Sequence, residues 1–321
     1  MAWGTGRPIL GLHILSYGQA WPDVADLAVR ADGLGYDLLL GADHLYATGA
    51  DPLEPFFEGW LTLAAWGQRT SRAHLGLLVG ANPFRHPGIV AKSVATLDHQ
   101  TAGRAMLGLG AAWDREELDD HGLARGTTVG QRLAALEDSL SIIRGLLSGE
   151  AVTVESEHYS VRGARHAPVP VQARVPVLMG TAGERVGLRI AARHADAWQS
   201  WQPMDSTEPF AAKAAVLDRH CHDVGRDPSA IVRLPGAKVI LRDDPAEAER
   251  VFARAAQERH WTGDLEAYVR QAAWLTTPDG ALRALAAYRA AGAGGFIAQA
   301  FGPYDTETVE RLATEVWPRL D

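Results

Sequence analysis

The chain has 321 residues, with 31 lysines and arginines against 39 aspartates and glutamates, giving a formal net charge of −8. A composition that is 47% hydrophobic and 22% charged excludes a disordered chain, and the acidic balance argues against a basic nucleic-acid-binding surface. The single cysteine, Cys221, has no partner for an internal disulfide and no zinc spacing around it.

Short apolar runs alternate with helix-period segments from one end to the other. The candidate strands are Ile9–Ile14, Asp37–Gly41, Ala73–Val79, Ala105–Leu109, Val175–Met179, Ala197–Ser200, Val232–Leu241 and Gly295–Ala300. Between them Val24, Leu27, Ala28, Ala31 and Leu34 share one helical face, as do Leu133, Leu136, Leu140, Ile143 and Leu147. This alternation implies parallel strands joined by helical crossovers. Eight such units predict an α/β fold of the (β/α)8 TIM-barrel type, with an open doubly wound sheet as the alternative.

Two stretches exceed what a connection needs, and they read as insertions after strands 4 and 7. Residues 149–176 contain the hairpin arms Val152–Val154 and His158–Val161, and residues 243–278 contain the helical runs Ala246–Glu258 and Leu265–Trp274. Insertions after barrel strands sit at the catalytic face or its rim, so these are expected to set substrate choice. No linker, charge run or repeat divides the chain, and residues 1–321 read as one barrel domain. Met1–Leu15 lacks the pattern of a signal peptide, and no run approaches the roughly 18–20 apolar residues of a membrane span. The expectation is a cytoplasmic protein with neither membrane nor nucleic acid as partner.

Residues with chemistry collect at the strand ends. The second strand runs into Asp43-His44, an imidazole beside a carboxylate that suits proton transfer near neutral pH, or else a strand cap. The third ends in Leu78-Val79-Gly80-Ala81-Asn82, followed by Arg85, His86 and Pro87, which read as a turn and cap with Arg85 and His86 on the surface. After the fourth come Gly108-Leu109-Gly110-Ala111-Ala112-Trp113 and, one helical turn later, Glu117. Small residues there let a ligand approach the backbone, and Trp113 suits stacking on a flat ring, although the third glycine of a dinucleotide fingerprint is absent.

The fifth strand is followed by Gly180-Thr181-Ala182-Gly183-Glu184 opening a helix, a pattern that suits phosphate at a helix N-terminus or simply Thr181 as an N-cap. Glu184 counts against a highly charged ligand. His13 at the first strand's end is a pocket or a structural histidine, and Trp198 and Trp201 at the sixth are the tryptophans expected to face a cleft. No His-x-His closes the first strand, and neither His-Glu-x-x-His nor Gly-x-Ser-x-Gly occurs, so a metal centre or a serine nucleophile is not expected.

Together these segments resemble the bacterial luciferase-like family of flavin and deazaflavin oxidoreductases, in its coenzyme F420-dependent branch. The resemblance runs in order through Asp43-His44-Leu45, Thr70–Val79, Phe84–Pro87, Ala95–Asp98, Gly103-Arg104, Gly108–Trp113 with Glu117, Gln131-Arg132, His158-Tyr159, Gly180–Glu184, Ala195–Trp198, Gly225–Pro228 and the tail from Thr277-Pro278 to Val309. It implies a barrel with the cofactor across its C-terminal face and His44 as the acid or base acting on the substrate. Asp43, Leu78, Val79, Gly80, Gly110, Ala111 and Trp113 would surround the ring, with a non-prolyl cis bond between Leu78 and Val79. Gly180, Thr181, Ala182 and Gly183 would hold the phosphate, and His13, Glu117 and Trp198 would line the substrate pocket.

Trp113 stands where some relatives carry a catalytic carboxylate, so no second acid/base residue is expected there. Thr181 and Ala112 replace glycines usual in the family, and Gln199 replaces a common Asn. The activity implied is hydride transfer between F420 and a small organic substrate, in a homodimer. The alternatives are an FMN-dependent monooxygenase of the same fold, a non-catalytic flavin or deazaflavin carrier or sensor and, last, a metal-dependent barrel hydrolase.

Overall fold

A computed structural model describes residues 6–47, 53–124, 126–259, 263–300 and 304–320. Residues 301–303, within the tail that carries the resemblance, lie outside the described residues. The strands are β1 (Ile9–Ile14), β2 (Leu38–Gly41), β3 (His74–Leu77), β4 (Gly80–Ala81), β5 (Leu107–Gly110), β6 (Val152–Glu155), β7 (Ser160–Ala164), β8 (Val177–Gly180), β9 (Ala197–Trp201), β10 (Val232–Leu241), β11 (Ala273–Thr276) and β12 (Gly295–Ala300). The helices that bear on the site are α1 (Trp21–Leu34), α2 (Gly59–Arg69), α3 (Pro87–Gln100), α4 (Arg115–Asp120), α5 (Val129–Leu147), α6 (Gly187–His194), α7 (Glu208–Asp223), α8 (Pro245–Glu258) and α9 (Gly263–Ala272).

Parallel pairing runs β3-β2-β1-β12-β10-β9-β8-β5-β4. The ring closes because β4 continues β3 after the cis Leu78–Val79 bond and pairs with β5, while Leu75 bridges Ala105 lower down. Closure decides for the barrel over the open sheet. The third predicted strand is thus one strand in two pieces, broken at the cis bond expected from the resemblance.

Side chains alternate across the barrel wall with the period of two that a strand imposes. Leu38, Leu40, Met106, Leu178, Ala197, Leu234 and Ile297 fill the interior. Their neighbours Leu39, Leu107, Val177, Trp198 and Met179 join the larger layer beneath the helices. The face of α1 predicted from sequence is buried at Val24, Leu27, Ala28 and Ala31, and the helix stops where Gly35 turns left-handed at φ 95°. Glycine tolerates that conformation and donates its N–H to the last carbonyls.

The two insertions part ways. The hairpin β6-β7 forms, but it lies in the return from α5 to β8, with β6 packed on α5. Lys92 Nζ donates to Ala167 O at 2.8 Å, and at the tip Asn82 Nδ2 donates to the Tyr159 hydroxyl at 3.2 Å. None of its residues lines the cavity described below. The other insertion does sit at the strand-end face. There β11 pairs with the upper half of β10, from Lys238 to Leu241, over a small core of Ile240, Ala248, Phe252 and Val269. Arg259, capping α8, reaches Glu54 at 2.7 Å and the Tyr17 carbonyl.

At the opposite face Asp32, buried in α1, accepts from three successive backbone amides: Ser71 N at 2.8 Å, Arg72 N at 3.1 Å and Ala73 N at 2.8 Å. Arg104 donates to the carbonyls of Gly67, Thr70, Ala73 and Thr101. The Thr70–Ala73 and Gly103-Arg104 stretches that carry part of the resemblance are therefore structural. Replacement of Asp32 by Ala leaves three amides without their acceptor and is expected to cost about 2–4 kcal/mol in urea denaturation, with cofactor affinity per folded molecule unchanged.

Candidate active site at the barrel mouth

The C-terminal ends of β2, β4, β5, β8 and β9 surround a cavity of ≈ 440 Å³. Of the residues expected to form a site, Asp43, His44, Leu78, Val79, Gly80, Gly110, Ala111, Trp113, Glu117, Gly180, Thr181 and Ala182 all line it. Gly183, His13 and Trp198 do not.

His44 follows β2 at the mouth. Its Nδ1 lies 3.0 Å from Glu117 Oε2, and Glu117 Oε1 accepts from Leu45 N at 2.6 Å. Glu117 is 2% exposed, on the short helix α4, whose start Asp114 caps through Glu117 N. Each carboxylate oxygen thus holds one group of the segment after β2, and Glu117 also lines the cavity. An imidazole held at Nδ1 by a carboxylate presents Nε2 for proton exchange. Trp113 and Phe56 stand edge-on to the ring at 5.9 and 6.0 Å.

Asp43 performs a different task from its neighbour. Its carboxylate accepts from Ala81 N at 2.8 Å and from both Arg85 Nη atoms, at 2.7 and 2.9 Å. Arg85 also binds Glu58, and its side chain is only 17% exposed, so the expected surface position for it is corrected. Burial alone would lower the Arg85 pKa, but Asp43 and Glu58 outweigh it and hold it above its ordinary value. The bidentate pair fixes the β4 segment against the end of β2.

The glycines of this wall serve the protein as much as a ligand. A Cβ on Gly110 would meet Val79 Cγ2 at 2.7 Å, so Gly110 makes room for the side chain beyond the cis bond. Gln199 lines the cavity, is 3% exposed, and its Nε2 has no hydrogen-bond partner. A buried amide left in that state points to a ligand acceptor.

At the other end of the cavity, Trp198 Nε1 donates to Thr181 O at 2.9 Å and Lys213 Nζ donates to Ala182 O at 3.0 Å. Helix α6 begins at Gly187, four residues later than Gly183, and its N-cap is Val186. Thr181 is therefore no N-cap; its Oγ1 accepts a long bond from Gly183 N at 3.4 Å, and Gly183 is exposed beside the cavity.

Trp198 is fully buried and stacks on Phe210, which corrects its placement in the substrate pocket. The period of two is the reason: Ala197 faces inward, Trp198 outward to the helices, and Gln199 and Trp201 line the cavity. His13 lies beneath Trp201, 5.7 Å between ring centres, in a row with Gln299 and Lys238 on adjacent strands. Burial chiefly, then the charges of His44 and Lys238, push its pKa down to about 3, against a smaller pull from Gln299. Burial likewise lowers Lys238 to about 8.

Sequence reasoning missed Lys213 and the clamp role of Arg85. Lys213 borders the buried face of α7 formed by Phe210, Ala214 and Leu217, a position from which a lysine can bury its stem and extend its head. Among the described residues, no group of three or more His, Cys, Asp or Glu is placed to hold a metal ion, and no helix is long and apolar enough to cross a membrane.

Residues 9–314 match a family model described as luciferase-like monooxygenase. An uncharacterized protein of Mycobacterium tuberculosis (strain H37Rv) is 38% identical over 157 residues, 49% of this chain and 51% of that one, so this match spans about half of either. The F420-dependent glucose-6-phosphate dehydrogenase of Rhodococcus hoagii is 28% identical over 323 residues, covering 93% of each. An F420-dependent secondary alcohol dehydrogenase, solved in complex with an F420-acetone adduct, superposes with a TM-score of 0.82 over 98% of this chain and 99% of that one, at 18% identity. That last likeness is one of fold.

Two expectations follow from the geometry. Ala112 is held at φ +60°, where a side chain is strained; Ala112→Gly is expected to raise stability by about 0.5–1 kcal/mol, read by urea denaturation. His13 titrates at about 3 folded against 6.5 unfolded, so between those pH values only the unfolded chain takes the proton. Its contribution is intact above 6.5 and falls by about 1.4 kcal/mol per unit below it. Wild type is expected to lose about 2 kcal/mol from this group between pH 7 and 5, and His13→Asn correspondingly less.

Proposed function

The chain belongs to the luciferase-like monooxygenase family, and from that premise we propose an oxidoreductase that moves a hydride between the deazaflavin coenzyme F420 and a small organic substrate. The observation that carries the reading is His44, held at Nδ1 by buried Glu117 and facing a cavity whose opposite wall leaves the Gln199 amide without a partner. The F420-dependent dehydrogenase aligned over 93% of both chains supports deazaflavin as the cofactor.

The residues present fit such a group. Leu78, Val79, Gly110 and Gly180 form a wall of low relief for a tricyclic ring, Gln199 Nε2 offers a donor to a ring carbonyl, and the Gly180–Gly183 turn offers backbone donors to a phosphate. Bound there, the deazaflavin supplies a two-electron hydride donor or acceptor. In the oxidising direction the substrate C–H bond gives up its hydrogen with the electron pair, and His44 Nε2 takes the hydroxyl proton; reduction runs in reverse. Glu117 keeps the imidazole in the tautomer and orientation this needs and stabilises the imidazolium that forms. Glu117 thus serves His44 from one helical turn beyond Trp113.

Fluorescence titration with F420 and with FMN is expected to show saturable F420 binding. Tight FMN binding without any F420 binding overturns the cofactor assignment. Assayed on a panel of secondary alcohols and sugar phosphates, His44→Ala is expected to lower turnover by about 10²-fold or more, with cofactor affinity changed by less than about threefold. Unchanged turnover sinks the role given to His44.

A further inference from the structure

Lys213 is the only lysine or arginine among the described residues that line the cavity. It reaches in from α7 to the turn that follows β8, and its ammonium has two contacts there: Ala182 O at 3.0 Å and Glu184 Oε1 at 3.2 Å. An ammonium carries three N–H donors, so one remains. Glu184 has no comparable hold on the fold through its carboxylate: its side chain is 54% exposed, and an exposed pair of this kind is weak. The backbone of the same residue is fixed separately, by His220 Nε2 on Glu184 O at 2.8 Å. The carboxylate can therefore leave Lys213 without disturbing the turn.

We propose that Lys213 reads the phosphate of the bound cofactor and that Glu184 is its exchangeable stand-in. With the site empty, the Glu184 carboxylate neutralises Lys213 beside the cavity. A phosphate ester arriving at the Thr181–Gly183 turn takes its place on the ammonium, and Glu184 swings to solvent. The acidic residue at the mouth then ceases to be an obstacle to an anionic ligand, because it sets how strongly Lys213 discriminates for phosphate. The ligand class follows from the charge: a flavin-like ring carrying a phosphate mono- or diester, in preference to the same ring ending in a free hydroxyl. The inference rests on reading the cavity as a cofactor site of this kind.

The test compares binding within two pairs of probes, F420 with its phosphate-free deazariboflavin core and FMN with riboflavin, by fluorescence titration of wild type and three variants. Lys213→Gln is expected to weaken the phosphorylated member of a bound pair by about tenfold or more while changing its phosphate-free member by less than about twofold. Lys213→Arg is expected to keep most of the affinity, and Glu184→Gln to tighten the phosphorylated member by about two- to fivefold with no change in the other. Equal weakening of both members by Lys213→Gln overturns the inference, since a lysine that merely props the turn has no reason to distinguish them. Binding of the FMN pair alone overturns the F420 reading and leaves Lys213 to be judged on FMN against riboflavin by the same criterion. Binding of none of the four by wild type overturns both.

Discussion

Buried and half-buried carboxylates that accept backbone N–H groups hold this barrel together from end to end. Asp37 receives Leu10 N at 2.9 Å, Asp196 receives Val177 N at 2.8 Å, Asp98 receives Ala105 N and Gln172 N, and Asp32 receives three amides in succession. The same device recurs at the mouth, where Asp43 takes Ala81 N and Glu117 takes Leu45 N. A hydrogen bond to an ionised acceptor is roughly twice as strong as a neutral one, and all of these but Asp98 to Ala105 N, seven residues apart, join segments far apart in sequence. The acidic surplus of the chain is thus partly an internal fastening, with Arg85 and Arg144 paired against Asp43 and Asp196.

This fastening explains how one pair of adjacent residues divides its labour. Asp43 and His44 are neighbours, but strand geometry sends them to different partners, Asp43 to the β4 segment and His44 to α4. The first contact fixes where the cavity wall stands, and the second fixes which nitrogen of the imidazole faces the cavity. Neither works alone, since a histidine correctly oriented against a displaced wall meets nothing.

Much of this was legible in the sequence. The strands announce themselves because a barrel strand buried on both faces is a short apolar run, and β1, β10 and β12 keep the predicted limits. His44, the small residues of the wall and the Leu78–Val79 bond stand where the ordered motifs put them. What escaped is pairing at a distance: nothing near Arg85 in sequence names Asp43, 42 positions away. Glu117 was found as a pocket residue, but its bonds to His44 and to Leu45 N, 73 and 72 positions away, were not. Trp198 was misplaced although the means to place it were local, since alternate residues of β9 must face opposite ways. Helix α6 starts late because Glu184, Arg185 and Val186 form a turn first, a detail that the glycine pattern conceals.

The way β11 joins β10 has a consequence for traffic. A cap hydrogen-bonded to the barrel along Lys238–Leu241 is masonry rather than a door, because swinging it aside as a unit would cost a ladder of backbone bonds at about 1 kcal/mol each. The hairpin β6-β7 supplies no residue to the cavity lining. Among the described residues of the other side, Trp113 stands 71% exposed beside His44.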